Sequence, residues 1–254
     1  KWLFEQPWKN NHRTLAISMN KKILVFTATY NESENIKLFL DKILSIKIDL
    51  DLLIIDDNSP DGTSEIINSY KNKYKNIFLI TRESKLGLDT AHKFAFKYAK
   101  KNNYDYFISL DADLSHDPLV IPQFIEKLET NPFIIGSRYV KGGKNDMKLS
   151  RFLQSYLGNK LIRLVSGIKS SEFTTSFRGF NLKKLLNFDM GDVDAKGYTF
   201  FMGTIFNLIQ KGYFIKQIPI IFKDRSHGYS KIPKNEIYRT LKKLFEYKRN
   251  KFNG

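Results

Sequence analysis

The 254-residue chain contains no cysteine. That excludes disulfides, thiolate catalysis and zinc–thiolate centres, and it accords with a reducing compartment. Four histidines (His12, His92, His116 and His227) are scattered without the spacing of a metal-binding set. Long apolar runs are also missing. The longest stretch free of charge, Gly197 to Gln210, has fourteen positions, too few to span a bilayer and suited to a core helix. The N-terminus begins Lys1-Trp2-Leu3 and reaches Glu5 at once, which does not read as a secretion signal. Acidic residues are the minority: 26 against 42 Lys and Arg, a formal charge of +16. Such an excess suits polyanionic neighbours, whether nucleic acid, anionic lipid or phosphorylated substrate, although a Lys-rich composition alone also produces it.

What is present is an ordered alternation. Ile23 to Thr27 reads as a strand buried on both faces, and Glu32 to Ile46 has apolar residues at helical spacing (Ile36, Phe39, Leu40, Ile43, Leu44). Leu52 to Ile55 is a second buried strand, closed by the turn-forming run Asp56 to Gly62. A helix (63–74), a strand (77–81), a helix (90–101) and a strand from Tyr104 follow. Alternation of this kind predicts an α/β fold with a mainly parallel central sheet flanked by helices. Beyond it the sequence predicts a helix over 118–129, a strand over 133–135, a helix over 149–165, a core helix over 198–209 and a strand over 214–222. A last helix closes the chain. Residues 1–18 read as an extension, 19–233 as the main domain and 234–254 as a basic amphipathic tail.

In parallel sheets ligands bind beyond the carboxyl ends of the strands. The loop acids Glu32, Asp56, Asp57, Asp111 and Asp113 fall at those ends. In extended chain, residues two apart point the same way, so Asp111 and Asp113 can reach one hard cation. Mg²⁺ held by one or two carboxylates keeps positions open for substrate phosphates. A solvated loop is the plainer alternative for an isolated Asp-x-Asp.

The neighbouring motifs resemble a known family. Ala28-Thr29-Tyr30-Asn31-Glu32, Ile55-Asp56-Asp57-Asn58-Ser59-Pro60-Asp61-Gly62-Thr63, and Lys85-Leu86-Gly87-Leu88 are similar, in order and spacing, to the dolichyl-phosphate mannosyltransferases. So are Asp111-Ala112-Asp113-Leu114-Ser115-His116-Asp117-Pro118, Gly136-Ser137-Arg138-Tyr139, Ser176-Phe177-Arg178, Asp224-Arg225 and Ser230-Lys231. These are inverting nucleotide-sugar glycosyltransferases of GT-A-type fold, and the likeness covers residues 21 to 233.

The resemblance implies roles. Ala28, Tyr30, Glu32, one or both of Asp56 and Asp57, Asp111, Ala112 and Lys231 would bind the nucleotide sugar. Asp111, Asp113 and Ser115 would hold Mg²⁺ or Mn²⁺. Arg138, Arg151, Ser155 and Arg225 would receive the acceptor phosphate, and Asp113, Arg138 and Arg225 would be catalytic. The implied donor is GDP-mannose and the implied acceptor a dolichyl or polyprenyl phosphate. An ionised phosphate is already a nucleophile, so no tuned general base is expected.

The chain departs from the family at several points. Ala28 stands for Pro, Asp89 for Gly and Ser115 for Gln. Glu172 and Thr175 replace Asp and Gly, and Phe201 and Gly203 stand where relatives carry Gln and Glu. The last change leaves the sugar contacts open. Another donor, such as UDP-glucose or a UDP-amino sugar, or a non-lipid acceptor, therefore stays an alternative, as does binding without turnover.

A lipid acceptor implies a peripheral place on the cytoplasmic side of a membrane. Ile237, Leu241, Leu244 and Phe245, ringed by Arg239, Lys242, Lys243, Lys248 and Arg249, offer a basic amphipathic helix for an anionic surface or for packing on the domain. A small membrane-protein partner is a further candidate. A non-catalytic protein that binds nucleic acid or membrane by charge is the remaining alternative. Acids clustered at strand ends have the wrong sign for a phosphate-backbone groove, so no nucleic-acid partner is expected.

Overall fold

The computed structural model describes residues 21–223 and 236–252. Its first strand, β1 (Ile23–Thr29), shows why the sheet is covered on both faces. Side chains alternate along a strand. Leu24 and Phe26 enter one apolar cluster, and Ile23 and Val25 enter the opposite one. From β1 the chain winds through α1 (Ser33–Leu44), β2 (Asp51–Asp56), α2 (Thr63–Lys71) and β3 (Ile77–Thr81). It then returns through α3 (Leu88–Lys101) to β4 (Tyr106–Ser109) on the other flank of β1. Strand order thus reverses between β1 and β4, the switch point at which parallel sheets open a crevice.

After β4 come a short turn of 3-10 helix (Pro118–Val120), α4 (Ile121–Leu128), β5 (Phe133–Ser137) and the two-residue β6 (Lys144–Asn145). Next are α5 (Leu149–Ser166), β7 (Arg178–Asn181), a second 3-10 turn (Met190–Asp192) and α6 (Thr199–Gln210). β8 (Lys216–Pro219), β9 (Ile221–Phe222) and α7 (Glu236–Phe252) complete the described chain. The main sheet runs β3-β2-β1-β4-β7-β5-β8, with β6 and β9 paired apart from it. All neighbours are parallel except β7, which is antiparallel to both β4 and β5.

The alternation of strand and helix is therefore as expected, and β7 is the addition. Its sequence, Arg-Gly-Phe-Asn, carries one apolar side chain and no strand signature. Gly179 fits there because a Cβ would stand 3.0 Å from both Phe124 and Leu128. The strand expected over 214–222 is split into β8 and β9, which pair with different partners.

The last helix packs on the domain. Leu244 is fully buried, and Tyr247 stacks on Phe206 with centroids 4.7 Å apart. Lys243 donates to Asp194 at 2.7 Å. No helix among the described residues is long and apolar enough to cross a membrane.

Candidate active site

β2 delivers Asp56 into the crevice with both oxygens occupied. It accepts from Thr29 Oγ1 (2.7 Å), Ser59 Oγ (2.6 Å), Ser59 N (2.8 Å) and Ser64 Oγ (2.9 Å). An ionised carboxylate offers about four acceptor positions, so the loop itself fills this one. Asp56 organises the turn through these four bonds. Asp61 then ties two helix starts together, accepting from Ser33 N (3.0 Å) and from Thr63 N (3.1 Å) and Oγ1 (2.6 Å). Burial opposes its ionisation, but the bonds from Thr63 and Ser33 outweigh that and hold the carboxyl below its ordinary range.

Asp57, almost wholly buried, forms an ion pair with Arg82. Arg82 also donates to Thr90 Oγ1 (2.6 Å) and to the Gly87 carbonyl (3.1 Å), so one guanidinium joins the ends of β2 and β3 to the start of α3. Lys85 Nζ stands 3.9 Å above the Tyr30 ring, and Glu32 accepts from Asn35 Nδ2 at 2.8 Å. Tyr30, Glu32 and Asp57 thus stand in the segments that follow β1 and β2. Arg82 was not singled out in the sequence: an arginine after a strand has no local mark, and its partner is 25 residues away.

Across the switch point, the chain leaves β4 into Asp111-Ala112-Asp113. Asp113 Oδ1 accepts from Ser115 N at 3.0 Å, an Asx turn that carries Leu114 at φ 62°. The Asp111 side chain is about one-third exposed, with Oδ2 3.5 Å from Nδ1 of the buried His116. His116 Nε2 in turn lies 3.0 Å from Thr175 Oγ1.

The Ser115 hydroxyl is buried and has no hydrogen-bond partner among the described residues. A buried hydroxyl oxygen without a partner, in the turn that Asp113 closes, is an unusual expense in a folded chain, and it fits a hard cation that takes oxygen ligands. No group of three or more acidic or histidine side chains suited to a metal occurs among the described residues. A cation here would therefore complete its shell from a phosphate ligand or water.

The basic side is more committed than the sequence implies. Arg138 is nine-tenths buried and pairs in two-pronged fashion with Glu172, from Nε at 2.7 Å and Nη2 at 2.8 Å. Its guanidinium lies 5.1 Å from the rings of Tyr139 and Phe222. Burial works against both charges, but each partner outweighs it, holding Glu172 low and Arg138 high. Glu172 is the second residue whose role sequence reading missed. It stood out only as an acid in the Glu172–Arg178 motif.

Tyr139 donates to Ser155 Oγ at 2.9 Å and fastens α5 to the loop after β5. Arg151, half-buried, lies one turn before Ser155. Arg178 is fully buried and donates to the carbonyls of Thr175 (2.8 Å), Phe201 (2.7 Å) and Phe173 (2.9 Å). Burial brings its pKa down to about 9, with Glu172 acting in the opposite sense. It serves as the internal frame of the 173–178 segment. Arg225 and Lys231 lie outside the described residues.

Residues 24–187 match the family described as Glycosyl transferase family 2. The undecaprenyl-phosphate mannosyltransferase of Micrococcus luteus is 31% identical over 212 residues, 83% of this chain and 87% of that protein. The polyprenol monophosphomannose synthase of Mycolicibacterium smegmatis is 29% identical over 230 residues, 89% of this chain and 87% of that one. Among solved structures, glucosyl-3-phosphoglycerate synthase of Mycobacterium tuberculosis, in complex with Mn²⁺, UDP and phosphoglyceric acid, superposes with a TM-score of 0.70. At 15% identity, across 92% of this chain and 81% of that one, the likeness is one of fold.

Proposed function

Because the chain belongs to glycosyl transferase family 2, we propose that it transfers mannose from GDP-mannose to a polyprenyl phosphate, with inversion at the anomeric carbon. The observation that carries this reading is the separation of acidic and basic candidate residues between the strand ends and α5. Acids and Tyr30 stand at the ends of β1, β2 and β4, and Arg151 with Ser155 stands on the first turns of α5. Two relatives named for mannosyl transfer to polyprenyl phosphates support the acceptor class.

On this reading Tyr30, Glu32 and Asp57 receive the base and ribose, with Lys85 stiffening the Tyr30 ring from behind. Asp111, Asp113 and Ser115 hold Mg²⁺ or Mn²⁺, which when bound neutralises charge on the diphosphate. Arg151, Ser155 and Arg225 place the acceptor phosphate, and Arg138 supports that wall through its pair with Glu172. A phosphate oxygen supplies the electron pair that bonds to the anomeric carbon. The bond from that carbon to the donor diphosphate breaks, and its electrons leave with GDP. No proton moves, because the acceptor is ionised beforehand. The remaining work is to bring two anions together, which the cations perform by placement.

A lipid acceptor also needs a route to the bilayer. On this reading the chain sits peripherally on the cytoplasmic side; attachment to a membrane is supported by α5, along which Leu149, Leu153, Leu157, Leu161 and Leu164 are all exposed.

The test is product formation by the purified chain with a panel of nucleotide sugars and a polyprenyl phosphate, read by mass spectrometry. GDP-mannose is expected to give a mannosyl phospholipid. Product from UDP-glucose alone would refute the donor, and transfer only to a non-lipid acceptor would refute the acceptor. Asp113→Ala is expected to lower turnover at least about a hundredfold. Undiminished turnover in that variant would remove the metal assignment.

A further inference from the structure

Beside the Tyr139–Ser155 contact, the second half of α5 and the loop after it line an open cleft of about 560 Å³. Lys160, Arg163 and Lys169 stand around it, all exposed, and no carboxylate among the described residues lines it. Tyr139 and Tyr156 form aromatic walls, and Leu164 closes one side while remaining 81% exposed. Leu157 and Leu161, four residues apart, continue the same apolar ridge, 58% and 42% exposed. The cations therefore sit beside an unburied leucine ridge, an arrangement water does not favour on a monomer.

We infer that this cleft binds the phosphate headgroup of an anionic bilayer phospholipid, the three cations holding the phosphate while the leucines enter the acyl layer. The inference rests on the membrane attachment proposed above and names the lipid chemistry responsible for it. Charge decides the occupant. A free phosphate would use the cations and leave the leucines in water. A second copy of the chain would cover the leucines but bring its own cations against these. A phospholipid satisfies both groups, because its phosphate lies immediately above its hydrocarbon, and tyrosines favour that same boundary. The acceptor phosphate is assigned to Arg225 and to Arg151 and Ser155, which lie in the first half of α5.

The experiment is flotation of the full chain with vesicles of phosphatidylcholine, pure or mixed with phosphatidylglycerol. Wild type is expected to float with the mixed vesicles, less so as salt rises. Replacing Lys160, Arg163 and Lys169 together by Gln is expected to weaken that binding on the order of a hundredfold, about fivefold per cation. A control with Lys71, Lys73 and Lys75, exposed around the end of α2, changed to Gln should bind like wild type. Equal loss in the control would mean that net charge alone acts, and would overturn the inference. So would unaltered binding by the cleft variant, or self-association of wild type that the cleft variant abolishes.

Turnover with a short, water-soluble isoprenyl phosphate is measured without vesicles in parallel. If the cleft variant loses that turnover as well, the cleft belongs to the acceptor and the inference fails. If wild type has no such turnover yet floats as expected, the transferase reading fails and the lipid site stands.

Discussion

Glu172 lies fully buried behind Arg138 and receives both prongs of its guanidinium, at 2.7 and 2.8 Å. Such a pair contributes less through its attraction than it costs to break, because removing one partner strands a charge in low dielectric. Glu172→Gln is therefore expected to destabilise the fold by about 3–5 kcal/mol. Replacing both residues, Arg138→Met with Glu172→Leu, should recover much of that loss. Urea unfolding of Arg138→Met, Glu172→Leu and the double variant closes the cycle. A double variant as unstable as the sum of the singles would contradict the account.

His92 supplies a pH signature. Its ring is buried edge-on against Phe26 and Phe201, beside Phe200. Burial first, then the charge of Arg178, pushes its pKa down to about 3. An unfolded His binds a proton near pH 6.5, so between about 6.5 and 3 the unfolded state holds a proton that the folded state refuses. Stability attributable to His92 is complete above that window and lost as pH falls through it, at up to about 1.4 kcal/mol per unit. Denaturation midpoints measured from pH 7.5 to 4.5 should slope accordingly, and His92→Leu should flatten the slope. An identical slope in the variant would assign the acid sensitivity elsewhere.

Gly203 reads in the sequence as a lost acid, and in the fold as the seat of α7. A Cβ there would stand 2.8 Å from Tyr247 Oη, 3.0 Å from Val193 Cγ1 and 3.1 Å from Ala195 Cβ. Gly203→Ala is expected to cost about 1–3 kcal/mol through overpacking, despite the better helix propensity of Ala. Adding Tyr247→Phe removes the nearest atom and should restore part of the loss. Thermal melts and the rate of tryptic release of the C-terminal helix measure both effects. If Gly203→Ala releases the helix no faster than wild type does, the seat is not what holds α7.

The sequence makes the half of the sheet formed by β1 to β4 legible because those strands are continuous apolar runs separated by helical periods. β7 is illegible for the converse reason. It carries little apolar character, and it exists because Phe107 and Ile108 lie on one side of it and Phe133 and Ile134 on the other. The candidate site divides in the same way. Acids at strand ends can be found from spacing, since the turn that holds them is local. Their countercharges cannot, because Arg82 joins Asp57 across 25 residues and Glu172 joins Arg138 across 34. The amphipathic reading of 235–249 left packing and lipid contact open. Leu244 and Tyr247 turn toward α6, and the larger exposed apolar ridge belongs to α5.

The antiparallel strand also orders events during synthesis. β4 and β5 are not hydrogen-bonded to each other, and both pair with Arg178–Asn181. Until those four residues leave the ribosome, two strands rich in Phe and Ile present bare backbone edges, the condition that invites pairing with other chains. The sheet therefore closes late and through distant contacts, which is intrinsically slow. A chain stalled before Arg178 should be the most aggregation-prone species, and protection should become complete only past Pro219, when β8 covers the outer edge of β5.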